Sequence, residues 1–406
     1  MDIQLQLRNK LQEISKILDT EDAENNEVGV LSGVSGIALF QFYYSKFLDD
    51  DIHADKGVES ITKIVEYIND GFSYPTFCVG IAGACWALEI LKEEDFVELE
   101  DDFLSSDLDP YLLEAMRGAV QEENYDFLHG AIGYGYYFLK RYENTTSEKL
   151  KKEYALYIEE LILALKKSSK NDERGTWWES DLRKEKEIRG CNLSLSHGIS
   201  SMINFFSRVV KHDDFRDVVQ ELLEQTVRYV LSCKFKDNSV TSMFPSWVVN
   251  DKETTEETSR LGWCYGDLGI GISLLRAGEV LEDPQLYEEA IIVLKHSTKR
   301  RDLEEASIMD AGLCHGAYGI LLIYNFLYRK TKETVFKEAS DFWAMQALTM
   351  ATHEQGYAGY MAWRGAKVEE WKKEISLLEG VAGVGLSIIS YLAPFDTKWE
   401  ECLLIR

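Results

Sequence analysis

A short glycine motif followed by an apolar stretch recurs seven times along this chain, and a repeat of that kind restricts the architectures open to it. The copies are LSGVSGIALF (31–40), FCVGIAGACWAL (77–88), FLHGAIGYGYYFL (127–139), LSHGISSMINFF (195–206), WCYGDLGIGISLL (263–275), LCHGAYGILLIY (313–324) and LLEGVAGVGLSII (377–389). Their first glycines are Gly33, Gly80, Gly130, Gly198, Gly266, Gly316 and Gly380, a mean spacing of about 58 residues, which fits two helices and their loops. The glycine-started stretches are apolar nearly all round, as in a helix packed on every side. The intervening segments, such as SEKLKKEYALYIEELILALKK (147–167), place apolar residues three and four apart, as in a helix with one buried face. Glycine at each start would let the backbone turn sharply and let neighbouring helices approach closely, with a second glycine three residues on keeping that side slim. The pattern predicts an all-α chain, an α/α toroid of seven inner and seven outer helices, with residues 1–406 as one domain. The side chains just before each glycine should then converge at one mouth of the ring.

Composition agrees with a large buried core. Hydrophobic residues make up 45% of the 406 and aromatics 12%, and only 5 prolines interrupt the helices. Lysine and arginine number 44 against 70 acidic residues, a net charge of -26 that repels phosphate backbones and argues against a nucleic-acid partner. The N-terminus has no basic start followed by an apolar run, and no stretch reaches about 18 uninterrupted apolar residues, so a cytoplasmic protein without transmembrane segments is expected. Seven cysteines without compact spacing do not form a secreted disulfide framework, so each must be core, ligand or nucleophile.

The slot before each glycine holds Ser32, Val79, His129, His197, Tyr265, His315 and Glu379, and Cys264 and Cys314 stand one residue earlier in their copies. Taken singly, an apolar-flanked cysteine reads as a small core residue. Two motif cysteines in successive copies with a histidine beside one of them read instead as a metal set. Cys264, Cys314 and His315 offer two soft thiolates and an imidazole, the ligands of a zinc ion that keeps a fourth position open. Two anionic ligands temper the Lewis acidity of the metal, which suits holding an incoming thiol as thiolate better than polarising a carbonyl. His197, without a neighbouring cysteine, is the candidate acid–base group; its alternative is a capped structural histidine. Asp126 could orient an imidazole or stabilise its charged form. Arg260 offers donors for an enolate oxygen, or a salt bridge to Glu256 and Glu257.

With WCYGDLG (263–269) and CHG (314–316) in this order about 50 residues apart, the whole chain resembles the lanthionine synthetase C family, the cyclases of lanthipeptide biosynthesis. The resemblance implies an α/α toroid, one zinc on Cys264, Cys314 and His315, and an active site that includes Asp126, His197, Arg260 and Tyr265. It implies addition of a peptide cysteine thiolate to dehydroalanine or dehydrobutyrine, with His197 protonating the enolate to leave a thioether ring. The implied partners are a dehydrated precursor peptide with its leader and a dehydratase or transporter complex. No family role falls on His129. The alternatives are a family member that binds or adds glutathione, a zinc prenyltransferase-like or terpenoid-cyclase-like ring, and a non-catalytic zinc scaffold. The acidic stretch 92–109 is either a solvated face or a seat for a basic leader.

Overall fold

The computed structural model describes residues 2–20, 27–101, 108–183, 188–236, 241–249, 258–365 and 370–406. Part of the acidic stretch, together with Glu256 and Glu257, therefore lies outside the described residues. Among the described residues there are fifteen α-helices: α1 (Ile3–Thr20), α2 (Val34–Leu48), α3 (Ile52–Asn69), α4 (Ile81–Glu93), α5 (Leu108–Gln121), α6 (Ala131–Asn144), α7 (Glu148–Ser168), α8 (Ile199–Val209), α9 (Asp213–Ser232), α10 (Asp267–Val280), α11 (Pro284–Ser297), α12 (Leu303–Ala306), α13 (Ala317–Thr331), α14 (Thr334–Thr349) and α15 (Val381–Leu392). Seven short strands accompany them: β1 (Lys170–Asp172), β2 (Gly175–Trp177), β3 (Ser180–Arg183), β4 (Ile188–Asn192), β5 (Trp247–Val249), β6 (Ala362–Trp363) and β7 (Trp371–Lys372). None of the described helices is long and apolar enough to cross a membrane.

Each of the seven motif glycines is the residue immediately before a helix, and those helices are α2, α4, α6, α8, α10, α13 and α15. Their burial follows their composition. In α8 every residue except Arg208 is buried, and in α15 the whole run from Val381 to Ser390 is. The helices between them are one-faced: α7 buries Tyr154, Ile158, Leu161, Ile162 and Leu165. It opens on a Ser147 cap that accepts the Leu150 N–H and closes on Lys166 and Lys167, both favourable to its dipole.

The chain divides into two compact units, residues 100–300 and residues 1–99 with 301–406. In the first, α6 packs on α5, α7 and α8, and α10 packs on α8 and α11. A three-stranded antiparallel sheet, in the order β3-β4-β5, pairs Asn192 with Trp247. In the second unit, α2 packs on α3, α4 and α15, while α13 packs on α14 and α15.

The loop that enters most of the glycine-started helices is a closed turn. The first helical N–H reaches back to the carbonyl six residues before the glycine, as in Val34 to Glu27, Ile81 to Tyr74, Ala131 to Asn124 and Val381 to Glu374, at 2.9–3.1 Å. The glycine is therefore needed for a reason other than a sharp turn. Gly198 has an ordinary extended backbone (φ -139°), but a Cβ there would lie 2.1 Å from the Asn192 carbonyl oxygen across the turn. Gly266 combines both demands, with φ +92° and a Cβ position 2.2 Å from the Arg260 carbonyl oxygen. Gly266→Ala is expected to destabilise the protein by roughly 1–3 kcal/mol from the torsion alone, with the collision adding to it; denaturant unfolding measures this, and an unchanged midpoint contradicts it.

Neighbouring turns within a unit are laced together by backbone hydrogen bonds. The N–H groups of Leu195 and Ser196 donate to the Cys264 carbonyl at 3.0 and 3.4 Å, and those of Leu313 and Cys314 both donate to the Leu378 carbonyl at 3.0 Å. The same lacing that holds the helix starts in register thus sets the loops that carry the motif cysteines and histidines.

Candidate metal and acid–base site

In the unit of residues 100–300, the acid–base group and its partner meet. His197 Nδ1 and Asp126 Oδ2 lie 2.5 Å apart, although 71 residues separate them. The other carboxylate oxygen of Asp126 accepts the N–H groups of Leu128 and His129 at 2.6 and 2.8 Å. Burial on its own would push this carboxyl up, but the His197 hydrogen bond and charge, with the His129 N–H, hold it below its ordinary value. Burial likewise disfavours the charged imidazole of His197. Asp126 outweighs that by hydrogen bond and charge, the Cys264 thiol adds to it, and the His197 pKa is raised. Asp126 therefore stands as the anion that favours the protonated form of His197, and with Nδ1 engaged, Nε2 is the nitrogen left to give a proton.

The backbone of His197 is held just as firmly. Its N–H donates to Ser194 Oγ at 3.0 Å, and the Ser194 N–H donates to Asn192 Oδ1 at 3.0 Å. Asn192 Nδ2 donates to the hydroxyl of Tyr265 at 3.3 Å. The Tyr265 ring lies 6.3 Å from that of His197 and meets Trp247 edge-on at 6.4 Å. Asp126, His129, Asn192, His197 and Tyr265 line one cleft of about 480 Å³. The outer wall of the cleft is charged: Arg189 pairs with Glu123, Glu179 and Asp181 at 3.1–3.3 Å. The His129 residue is exposed on this wall, but partial desolvation of its ring lowers the imidazole pKa, with the charge of Asp126 opposing and that of His197 adding to it. Arg260 is half-buried and does not line the cleft. Cys264 is buried, one residue from Tyr265.

In the other unit, Cys314 and His315 are half-buried at the start of α13. His315 Nε2 lies 3.7 Å from Asp310 Oδ2, and its ring meets Trp363 edge-on at 6.4 Å. Asp310 is fixed in turn by the N–H groups of Gly312 and Trp363, at 3.0 and 2.9 Å. Glu379, in the slot before its glycine, pairs with Arg364, which also reaches Glu374 at 3.2 Å. Burial raises the Glu379 carboxyl despite the nearby cations.

Sequence reasoning missed Asn192, Ser194, Asp310 and the Arg364–Glu379 pair. A signal for part of this was present. The position six residues before the glycine holds Asn124, Asn192, Asp310 and Glu374 in four copies, and in each the side chain accepts an N–H of its own turn. Arg260 occupies the same position in the fifth copy, where a guanidinium cannot accept, so its side chain is released from turn closure.

The same arrangement of helices is found in known structures. Nisin cyclase superposes with a TM-score of 0.73 over 98% of this chain and 97% of its own, at 17% identity. Cellobiose 2-epimerase of Bacillus thermoamylovorans matches over 97% of this chain and 99% of its own, with a TM-score of 0.51 and 11% identity. The fold is an α/α toroid, and its two neighbours carry different chemistries by name, so the fold alone does not assign one. The family described as lanthionine synthetase C-like protein matches residues 24–404, and the chain belongs to that family. A Danio rerio protein named glutathione S-transferase LANCL1 is 20% identical over 408 residues, 97% of this chain and 90% of that protein.

Proposed function

We propose that this protein is a zinc-dependent lanthipeptide cyclase that adds peptide cysteine thiolates to dehydroalanine or dehydrobutyrine residues. The observation that carries the reading is the Asp126–His197 pair on a cleft wall, in a loop hydrogen-bonded to the carbonyl of Cys264. Cys264, Cys314 and His315 would hold one zinc ion. The donors fit such an ion: two thiols and an imidazole in adjacent or matching slots of repeated turns, with Asp310 facing Nε2 of His315 as an orienting carboxylate. Nδ1 of His315 would then be the nitrogen offered to the metal. Zinc supplies a position at which a peptide thiol is kept as thiolate near neutral pH.

The residues of the chain then manage one proton. As the sulfur bonds to the β-carbon, the alkene electron pair moves onto the neighbouring carbonyl as an enolate. His197 Nε2 gives its proton to the α-carbon, and the proton lost by the thiol returns through solvent to His197, so the addition is proton-neutral overall. Asp126 favours the charged imidazole and aims it. Tyr265, on the same wall, is the first candidate donor to the enolate oxygen, and Arg260, which does not line the cleft, is the second. The partner would be a dehydrated precursor peptide with its leader, delivered by a dehydratase or handed on to a transporter.

A general acid must be protonated, so the rate should fall as pH rises through the raised His197 pKa. Asp126→Asn removes the anion that raises it, so the alkaline limb should move to lower pH. A pH–rate profile of the two proteins checks this, and a limb that stays put contradicts it.

Glutathione is the second reading, favoured by the name of the Danio rerio relative. Its thiol could add to the same acceptor. Incubating a dehydrated, cysteine-containing peptide with and without glutathione separates the two: ring closure leaves the mass unchanged and blocks thiol alkylation, whereas an adduct carries the mass of glutathione.

A further inference from the structure

We propose that Asn192 is a positioning residue that fixes the direction of the Tyr265 hydroxyl, turning its O–H toward the cleft as a donor to the developing enolate oxygen. The inference rests on the cyclase reading for the identity of the acceptor, but the hydrogen-bond direction follows from the turn alone. The two ends of an asparagine amide are distinguished by their partners. Oδ1 lies 3.0 Å from the backbone N–H of Ser194, which can only donate, so this end is the oxygen. The other end is therefore the NH₂ group, which can only donate, and it lies 3.3 Å from the Tyr265 oxygen. The phenol must accept from Asn192, and the Ser194 hydroxyl, whose oxygen already accepts the His197 N–H, is a second donor to it, so its own proton is left to point elsewhere.

The surroundings make that direction matter. Asn192 ends β4 and is paired with Trp247 of β5, whose ring stands edge-on to Tyr265, so both the amide and the phenol are held by the sheet. The Asn192 carbonyl lies against Gly198, and its side chain supports Ser194, which accepts the N–H of His197. One residue thus joins the loop of the proton donor to the phenol beside it. Asn192, His197 and Tyr265 line the same cleft. A phenol that receives one hydrogen bond is a better donor of its own, and a donor held in place before the charge develops costs no reorganisation when it does.

Asn192→Asp is the discriminating variant. A carboxylate still accepts the Ser194 N–H, as Asp310 accepts that of Gly312 in the corresponding position of the sixth turn, so the loop is kept. It can no longer donate to Tyr265. The phenol would instead donate to the carboxylate and be lost to the substrate. On a dehydrated peptide, kcat at the pH plateau should fall by roughly 10²-fold with KM little changed, the cost of removing one preorganised donor. Tyr265→Phe should fall by a similar factor, and the double variant by no more than either alone. Full-rate Asn192→Asp, or additive losses in the double variant, would overturn the proposal. A second measurement does not depend on turnover or on Asn192→Asp folding. In wild-type protein labelled with ¹⁵N-asparagine, the side-chain amide resonances of Asn192 should shift when Tyr265 becomes phenylalanine, and an unmoved signal overturns the hydrogen bond itself. Shifted resonances in a wild-type protein that adds no thiol would sink the cyclase reading and the enolate role with it, leaving the hydrogen-bond direction standing.

Discussion

Cys314→Ala is expected to abolish ring formation and to release the metal, the largest effect of any single change considered. Removing one of three protein ligands leaves a thiol and an imidazole, a donor set too small to hold a catalytic zinc ion against buffer and water. The half-buried cysteine lies in the turn before α13 and its N–H donates to the Leu378 carbonyl, a backbone bond that alanine preserves, so folding should survive the change. Metal analysis after dialysis should give about one zinc per chain in the wild type and far less in the variant. Asp310→Asn provides a graded comparison: it keeps an acceptor for only one of the Gly312 and Trp363 N–H groups and loses the charge beside His315. Loss of such an orienting carboxylate typically costs about 10- to 100-fold in metal affinity. A Cys314→Ala protein that binds zinc as tightly as the wild type would remove Cys314 from the ligand set.

The second large effect belongs to His197. His197→Asn keeps a polar side chain and the N–H bond to Ser194, yet has no group able to give a proton near neutral pH. The expected loss is about 10²- to 10⁴-fold in kcat with zinc content unchanged, the range seen for a positioned general acid. The same change leaves Asp126 buried without its counter-ion, so its carboxyl pKa should rise toward and above the ordinary value. A variant that keeps both zinc and full rate would mean that the proton comes from elsewhere, and exposed His129 on the same cleft wall would be the first residue to examine.

The repeat was legible because its cause is local. Each motif glycine sits where a Cβ would strike the turn leading into the helix, so the motif marks a helix start in all seven copies, and the even apolarity after it marks a helix buried on all sides. The physical role of that glycine was not legible. Six of the seven have ordinary extended torsions, and the close approach that excludes a side chain is visible only in three dimensions. The β3-β4-β5 sheet escaped notice because its strands are three to five residues long and belong to no repeat. With it went Asn192, which reads in sequence as an unremarkable polar residue. The pairing of Asp126 with His197 could be suspected from residue type, since a carboxylate in one turn and an imidazole in another are natural partners. What the sequence could not supply was the chain of contacts from Asn192 through Ser194 to His197, or the orientation of Asp310 beside His315.

Zinc-dependent cyclisation is read most directly from ring formation by the purified protein on a dehydrated, cysteine-containing peptide, before and after removal of zinc with a chelator and again after its return. Rings are expected with the zinc-loaded protein, with activity lost on chelation and recovered on adding zinc back. Undiminished ring formation by the metal-free protein, or a zinc-loaded protein that closes no rings, would contradict it.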